Sequence, residues 1–279
     1  MKLNNKTAII TGSNSGIGLA CIELFAENGC NIIACCRSEK KEFSEHISKL
    51  SKEYNIKILP LYFNLENPDE IKRNLKIIFD YKINIDILVN NAGYIYSGLA
   101  GMTSEEELKK LFQINFYAAE NLIRIISKKM IKNKRGSIIN ISSTAALDGN
   151  IGRSGYASSK SALIALTKTL AHELGPRNIR VNCIAPGLTD TKMMRNSTNK
   201  NILPNIIDQT ALKRIANPIE IANVILFLAS DFPSITSFIS FFIDIIAEQN
   251  LSSSFFDSLS VGSIIKVPGT GHDMVGAWN

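Results

Sequence analysis

Short apolar segments alternate with longer amphipathic segments along most of this chain. The first apolar segment covers residues 7–11, and an amphipathic segment over residues 16–28 follows it. The same pattern predicts further strands over residues 31–35, 57–62, 85–89, 137–141 and 179–184. It predicts intervening helices over residues 39–54, 68–80, 104–132 and 155–174. Hydrophobic periodicity of this kind separates buried strands from helices that bury one face.

Most of the predicted strands are apolar throughout rather than alternating between apolar and polar residues. Such strands are typical of a parallel sheet that helices cover on both faces. The alternation of strands and helices also indicates repeated βαβ units with right-handed crossovers. We therefore predict an α/β fold, a single Rossmann-type doubly wound parallel sheet of six or seven strands with helices on both faces.

The regular pattern extends to about residue 246, so we assign residues 1–246 to one domain. The alternation after Thr236 is compatible with a seventh strand. Residues 247–279 are rich first in serine and then in glycine, and they show no periodicity. We treat them as an atypical C-terminal extension of unknown structure.

The composition excludes several classes of protein. Apolar residues make up 45% of the chain and charged residues 20%, which argues against disorder and against a long coiled coil. The net charge of +6 is spread along the chain, and the densest basic run, residues 132–135, contains no aromatic residue. We therefore expect no nucleic-acid partner.

The number and spacing of the cysteines and histidines bear on the cellular compartment and on whether the protein binds a metal. The five cysteines show no Cys-x-x-Cys spacing, which suggests neither a disulfide framework nor a zinc site. His46, His172 and His272 are not spaced as metal ligands, so we expect no metal. No signal-type segment opens the chain, and the apolar stretch over residues 235–246 is too short to span a bilayer. We expect a cytoplasmic protein with no membrane partner.

The first predicted strand ends in a glycine-rich turn with the spacing Gly-x-x-x-Gly-x-Gly. Glycines permit a tight turn, allow backbone N–H groups to approach a pyrophosphate, and let the helix pack close to the strand. The positive end of the helix also favours an anion. The turn therefore predicts a dinucleotide site, with an ordinary strand–helix loop as the alternative. Its residues are Gly12, Ser13, Asn14, Ser15, Gly16, Ile17 and Gly18.

The end of the second predicted strand indicates which dinucleotide binds. NAD sites carry an Asp or Glu there for the ribose hydroxyls, whereas a basic residue accommodates a 2′-phosphate. This chain has Arg37, whose guanidinium suits bidentate binding of a phosphate. We predict NADP as the cofactor. Glu39 lies close in sequence and keeps NAD as the alternative.

Tyr156 and Lys160 lie one helical turn apart and therefore share a face of their predicted helix. Reduction of a carbonyl leaves an alkoxide that needs a proton, and a free tyrosine with a pKa of about 10 exchanges protons poorly at neutral pH. A nearby ammonium lowers that pKa. Ser143 and Asn91 each follow a predicted strand, where open α/β sheets bind ligands.

Together these motifs resemble those of the classical short-chain dehydrogenase/reductase family. Their order and spacing are similar to the family's over roughly residues 3–235. The segment 180–187 is similar to that of bacterial 3-oxoacyl-[acyl-carrier-protein] reductases, and sugar and polyol reductases share such strings. The matching features are the turn from Thr11 to Gly18, Asn90-Asn91-Ala92-Gly93, Asn115, Ser143, Tyr156 with Lys160, and Pro186-Gly187 followed by Thr191.

The resemblance implies a role for each of these residues. Tyr156 would donate the proton and Lys160 would hold the nicotinamide ribose. Ser143 would bind the substrate carbonyl together with Tyr156, with Ser142 as its rival, and Asn115 would hold a water in a proton relay. The implied cofactor contacts are Gly12, Ser13, Asn14, Ser15, Gly16, Ile17, Gly18, Arg37, Asn64, Leu65, Asn91, Ala92, Gly93, Tyr156, Lys160, Pro186, Gly187, Thr189 and Thr191.

Two features depart from the family pattern. Ser15 stands where many NADP-dependent members carry a basic residue, so recognition of the phosphate would depend mostly on Arg37. The glycines expected after the last strand are absent. In the proteins that the chain resembles this region helps to form a subunit interface, and the resemblance implies a homodimer or homotetramer.

The leading hypothesis is NADP-dependent reduction of a carbonyl to an alcohol, most similar to that of a 3-oxoacyl-[acyl-carrier-protein] reductase. Acyl carrier protein would then be a partner, and Arg135 with nearby lysines would meet its acidic surface. One alternative is a dehydrogenase of a sugar, polyol or other small alcohol. Another is a catalytically idle nucleotide-binding protein with the same fold. The apolar residues within 188–211 suit an acyl chain and equally a self-packed helix.

Overall fold

The structure, a computed structural model, describes residues 2–80, 83–231 and the strand Ser240–Ile243. The predicted extension over residues 247–279 lies outside the described residues. The domain boundary at residue 246 therefore stays a prediction.

In the described part of the chain, seven parallel strands form one sheet in the order β3-β2-β1-β4-β5-β6-β7. The order changes direction between β1 and β4, so the loops that follow these two strands lead away to opposite sides of the sheet. A crevice forms at such a switch point, outside the carboxyl ends of the strands. The strands are β1 Thr7–Thr11, β2 Asn31–Cys36, β3 Ile58–Tyr62, β4 Ile87–Asn90, β5 Gly136–Ile141, β6 Ile179–Pro186 and β7 Ser240–Ile243.

Helices connect the strands and continue beyond β6. The helices are α1 Gly16–Glu27, α2 Lys41–Glu53, α3 Pro68–Asp80, α4 Glu105–Phe112, α5 Ala118–Asn133, α6 Ala145–Asp148, α7 Ser154–Leu174, α8 Lys192–Ser197, α9 Leu203–Gln209 and α10 Pro218–Ala229. A π-helical turn, Gln113–Tyr117, joins α4 to α5 without a break. Within the described residues, no helix has both the length and the hydropathy needed to cross a bilayer.

The predicted fold class is confirmed: the sheet is parallel and helices cover both of its faces. The bounds of β1 and α3 are those predicted from the sequence. β6 continues past its predicted end at residue 184 to Pro186. A proline has no backbone N–H to donate to a sheet, and Pro186 is the last residue of β6. The predicted helix over residues 104–132 proves to be α4, the π turn and α5 in succession.

The two faces of the sheet bury different sets of helices. On one face, Ile9, Leu88 and Ile138 belong to a core cluster with residues of α3, α5 and α7. The neighbouring strand residues point to the opposite face. There α10 packs against α1, and both helices contact strands of the sheet. Covering both faces removes the apolar strands from water, which explains why their sequences do not alternate.

The N-terminus of α10 is fixed by a capping box. The Asn217 side chain accepts a hydrogen bond from the Ile219 backbone N–H at 3.1 Å, and Glu220 accepts one from the Asn217 N–H at 2.7 Å. Arg214 donates two hydrogen bonds to the Glu220 carboxylate, at 2.8 and 2.6 Å. The cap orients a helix whose Ile221 and Ile225 are fully buried.

We expect Asn217→Ala to destabilise the protein by about 1 kcal/mol, because the first turn of α10 loses a side-chain acceptor. For a domain of this size, that corresponds to a fall in Tm of roughly 2–4 °C. Thermal and urea unfolding measure the change. The control is Asn205→Ala, which alters an exposed asparagine within α9. Equal stability of the two variants would contradict the role of the cap.

Candidate active site

A cavity of about 1010 Å³ lies along the carboxyl ends of the strands. It runs from the glycine-rich turn after β1, past the ends of β4 and β5, to the segment that contains α8 and α9. The predicted residues that line it are Gly12, Asn14, Ser15, Gly16, Ile17, Arg37, Asn64, Leu65, Asn91, Ala92, Gly93, Ser143, Tyr156, Lys160, Pro186, Gly187, Thr189 and Thr191. Ser13, Gly18 and Asn115 do not line it.

Gly12 and Gly18 show why the turn needs glycine. Gly12 has a φ of +67°, and a Cβ atom there would lie 2.9 Å from the Cα of Ala92. A Cβ at Gly18 would lie 2.2 Å from the carbonyl oxygen of Gly12. Both contacts are shorter than side chains tolerate. Gly18 therefore allows α1 to pack against the turn, and it serves the site without lining it.

The N-terminus of α1 is open to the cavity. Its N-cap residue, Ser15, makes no side-chain capping hydrogen bond, and both Gly16 and Ile17 line the cavity. The first N–H groups of a helix have no partner within the helix, and they carry the positive end of its dipole. This arrangement fits the pyrophosphate of a dinucleotide.

Ser13 holds the turn in place. It is fully buried, and both its backbone N–H and its hydroxyl donate hydrogen bonds to the carbonyl oxygen of Cys35, at 3.2 and 3.0 Å. Its side chain therefore contacts the end of β2 rather than the cavity. On the other side, the Asn91 amide donates to the carbonyl oxygens of Thr11 and Gly12, at 2.9 and 3.2 Å. These bonds fix the turn between β2 and β4.

The end of β2 carries the predicted cation and no acid. The Arg37 side chain is 74% exposed and lies 3.9 Å from a carboxylate oxygen of Glu66. Lys40 also lines this end of the cavity, whereas Glu39, the residue that kept NAD as the alternative, does not. Sequence reasoning missed Glu66, which follows the predicted contacts Asn64 and Leu65 and lines the cavity with them.

The two serines after β5 have different partners. The Ser142 hydroxyl is buried and donates to the backbone carbonyl of Lys160 at 2.8 Å. The Ser143 hydroxyl lines the cavity, accepts a hydrogen bond from the Ala145 N–H at 3.2 Å, and bonds to Tyr156. Ser143 is therefore the serine available to a substrate, and Ser142 holds α7 to β5.

Tyr156 and Lys160 lie on the first turns of α7 and are nearly inaccessible, with 8% and 3% of their surface exposed. The Lys160 ammonium donates to the carbonyl oxygen of Ile141 at 2.8 Å. Burial lowers the pKa of Lys160 to about 8. A cation held this deep in the protein costs stability, which indicates that the position serves function.

The expected effect of Lys160 on Tyr156 needs correction. In the structure the pKa of Tyr156 is raised, because burial outweighs the lowering effects of the hydrogen bond with Ser143 and of the charge on Arg153. The Lys160 ammonium donates its hydrogen bond to the carbonyl oxygen of Ile141. The nearby positive charge that favours the phenolate belongs to Arg153.

Asn115 lies in the π turn and is buried. Its amide group donates to the Tyr94 carbonyl and to the Ser159 hydroxyl, both at 2.9 Å, and its carbonyl oxygen accepts from the Tyr94 N–H at 2.7 Å. Both amide hydrogens are therefore used in tying the loop after β4 to α7. Only the second lone pair of its oxygen remains for the predicted relay water.

The far end of the cavity is closed by the segment that follows β6. Thr189 pairs with Ala216 in a parallel bridge, and the Thr191 hydroxyl caps α8 by accepting from the Met194 N–H at 3.2 Å. Met193 and Ile202 line the cavity from this segment. The predicted contacts Thr189 and Thr191 thus hold the start of this segment in place. We call α8 and α9 together the helical cover.

Arg135 lies away from the cavity. It precedes β5, at the amino end of the strand, whereas the cavity follows the carboxyl ends. Its guanidinium is bonded to Asp86 at 2.7 Å. This position does not favour Arg135 as a docking residue for a carrier whose acyl group must reach the cavity.

Sequence reasoning missed three cations that line the cavity, namely Lys40, Arg153 and Lys192. The sequence position of Arg153 could have indicated a place in the site, because the residue lies three positions before Tyr156 and immediately before α7. Nothing in the sequence indicated such a place for Lys192, since α8 was not predicted. In the described part of the chain, no group of three or more His, Cys, Asp or Glu side chains is arranged to hold a metal ion.

Comparison with known proteins agrees with this geometry. The model of the short chain dehydrogenase family matches residues 6–202. The chain is 40% identical over 236 residues to the 3-oxoacyl-[acyl-carrier-protein] reductase of Thermotoga maritima, an alignment that covers 83% of this chain and 93% of that protein.

Solved structures show the same relationship. L-sorbose reductase from Gluconobacter frateurii, complexed with NADPH and L-sorbose, superposes with a TM-score of 0.80 at 30% identity, covering 88% of this chain and 97% of that one. An NAD⁺-bound xylitol dehydrogenase gives a TM-score of 0.80 at 27% identity, covering 87% and 99%. The chain belongs to the short-chain dehydrogenase/reductase family and is an NAD(P)-dependent oxidoreductase that acts on CH–OH groups.

Proposed function

We propose that this protein reduces a carbonyl compound to an alcohol with NADPH. The observation that carries the proposal is the continuity of one cavity, which joins the open N-terminus of α1 and Arg37 to Ser143, Tyr156 and Lys160. A dinucleotide bound along the strand ends would supply the hydride. The residues of the chain would bind the cofactor and the substrate, orient the carbonyl group and protonate the alkoxide that forms.

Binding of the cofactor would use backbone and side-chain groups in turn. The N-terminus of α1 would hold the pyrophosphate, and Asn64 and Leu65 would flank the adenine. Arg37 would bind the 2′-phosphate with help from Lys40, since both line that end of the cavity and no acid ends β2. Glu66 would keep the guanidinium in place rather than accept ribose hydroxyls, since it lies 3.9 Å from both Arg37 and Lys110.

Proton transfer would depend on Tyr156. Its hydroxyl would donate the proton that the developing alkoxide needs, and burial raises the pKa of this hydroxyl. Ser143 would donate a hydrogen bond to the carbonyl oxygen, where negative charge develops. Lys160 would hold the nicotinamide ribose, and Asn115 would support a relay water through its remaining lone pair.

Two substrate classes follow from the cavity and the relatives. Met193, Ile202 and Ile206 give the cover an apolar surface, which favours the acyl chain of a 3-oxoacyl thioester. The polar groups of Asn150, Gln209 and Thr210 line the same cavity and favour the alternative, a sugar or polyol. We set aside the catalytically idle protein, because the chain belongs to a family of NAD(P)-dependent oxidoreductases and Ser143, Tyr156 and Lys160 line one cavity.

The proposal extends to partners and compartment. Acyl carrier protein remains a partner through its thioester, with no docking residue assigned. We retain a homodimer or homotetramer, although the residues after β7 that would bear on it lie outside the described residues. All five cysteines are free and buried, which is consistent with a reducing, cytoplasmic setting.

We expect Tyr156→Phe to lower kcat about 10²–10⁴-fold while NADPH binding persists, because only the proton donor is lost. Stopped-flow turnover of ketones and fluorescence titration of NADPH measure the two effects. Tyr117→Phe is the matched control, since Tyr117 is 51% exposed and does not line the cavity. Turnover by Tyr156→Phe near the wild-type rate would remove the catalytic assignment.

We expect Arg37→Asp to shift the ratio of kcat/KM for NADPH over NADH toward NADH by one to two decades. Loss of a charge-assisted contact with phosphate is typically worth about 1.5–3 kcal/mol. The control is Lys41→Asp, the same reversal of charge at an exposed residue that does not line the cavity. A wild type that prefers NADH, or an unchanged ratio in Arg37→Asp, would refute NADP as the cofactor.

We expect Lys160→Met to abolish turnover and yet raise Tm at pH 7. The folded pKa of Lys160 is lowered to about 8, so below that pH the folded protein must hold a desolvated cation. Between pH 8 and the pKa of an unfolded lysine, about 10.4, the unfolded wild type binds more protons and its stability therefore rises. The difference in Tm between Lys160→Met and the wild type should therefore decrease from about pH 8 to about pH 10.4.

Differential scanning calorimetry between pH 6.5 and 10.5 measures this trend. Lys128→Met serves as the control, because Lys128 is an exposed residue of α5. A variant less stable than wild type at pH 7 would show that Lys160 is retained for stability.

A further inference from the structure

Two cations line the substrate end of the cavity without an acidic partner. Arg153 is half-buried and precedes α7, and Lys192 is the first residue of α8. Among the residues that the structure describes, neither lies within ion-pair distance of a carboxylate. Most other arginines of the structure differ in this respect: Arg195 and Arg214, for example, are paired with Asp190 and Glu220.

Among the described residues, the Arg153 side chain makes one hydrogen bond. Its Nη2 atom donates to the carbonyl oxygen of Ser197, the last residue of α8, at 3.0 Å. The bond fixes the side chain between the start of α7 and the end of the helical cover. The remaining N–H groups of the guanidinium keep their fork geometry, which matches a carboxylate.

The guanidinium is also close enough to the reacting centre to affect it. Its charge favours the ionised form of the Tyr156 hydroxyl, and both side chains line the same cavity. Asp148, at the end of α6, is the acid that lines this end, and it is exposed. A substrate could therefore place a carboxylate on Arg153 while its carbonyl group is hydrogen-bonded to Tyr156 and Ser143. Only a few covalent bonds would separate the two groups of the substrate.

We propose that Arg153 is a specificity-determining residue that binds a carboxylate of the substrate, so that the preferred substrates are oxo acids. The proposal rests on the proposed function and narrows its substrate class. It bears on the choice between the two substrate classes, since a 3-oxoacyl thioester has no free carboxylate, whereas free oxo acids and oxo sugar acids have one. The carboxylate would replace the acidic partner that the chain itself does not supply.

This assignment also gives the cover a role in selectivity. One edge of the Arg153 guanidinium binds the end of α8. A substrate carboxylate on another edge would therefore be bound by the same side chain that holds α8 in place. A neutral ester or amide offers no charge to balance the guanidinium and loses the bidentate contact. Discrimination would thus arise from electrostatics as well as shape.

The test compares 4-oxopentanoate with its methyl ester, which carries the same ketone without the charge. The 3-oxobutanoate and 5-oxohexanoate pairs vary the distance between the two groups. In at least one pair we expect the wild type to favour the acid in kcat/KM by tenfold or more. Arg153→Gln should lower the ratio of acid to ester at least tenfold, and Arg153→Lys should retain part of it.

Arg195→Gln is the matched control. It removes a guanidinium from the same helical cover, but Arg195 is exposed, paired with Asp190, and does not line the cavity. We expect its acid-to-ester ratio to equal that of the wild type. No preference for the acid in any pair, or an unchanged ratio in Arg153→Gln, overturns the proposal. Collapse of the ratio in Lys192→Gln alone would also overturn it, by moving the anion site to α8.

The failure of this inference can be distinguished from failure of the proposed function. Reduction of the esters without preference for the acids refutes the inference and leaves the reductase intact. If the wild type reduces no ketone with NADPH, the proposed function fails. Calorimetric titration of wild type and Arg153→Gln with 4-oxopentanoate in the presence of NADPH then decides the inference, and equal affinities would refute it. Circular dichroism confirms that each variant is folded.

Discussion

The site depends on one constraint, namely that every pairing in the sheet is parallel. Parallel strands bring all their carboxyl ends to one edge, so the segments that follow β1, β4, β5 and β6 meet there although they are far apart in sequence. The reversal of strand order between β1 and β4 opens the crevice between those segments. The apolar strands enforce this arrangement, because they must be covered on both faces.

Buried hydrogen bonds to the backbone fix the positions of the segments that follow the strands. Asn91 and Ser13 hold the glycine-rich turn from either side, Ser142 binds the backbone of α7, and Asn115 joins α7 to the loop after β4. A buried polar group left without a partner is costly, so each bond is strongly favoured once the fold forms. The polar residues around the cavity therefore support the few that face it.

Charge is distributed unevenly along the cavity. Lys160 is desolvated deep in the fold, where only a backbone carbonyl accepts its hydrogen bond among the partners described. Arg37 is largely exposed at the end of the cavity that follows β2, and Arg153 is half-buried where α7 begins. Cations at both ends and at the centre suit anionic ligands, and their different burial determines how strongly each one acts.

The sequence by itself determined the fold class and identified several residues that line the cavity, because both are encoded in local patterns. The apolar strands and their spacing predict the parallel sheet, and the glycines, Ser143, Tyr156 and Lys160 stand at its strand ends. Tertiary structure decided what depends on packing between distant segments. It directed Ser13 and the amide of Asn115 away from the cavity and set the Lys160 ammonium against Ile141. It also placed Arg153 in the same cavity as Tyr156, with no acidic partner among the described residues. Burial and hydrogen-bond partners come from residues remote in sequence, so no local pattern could specify them.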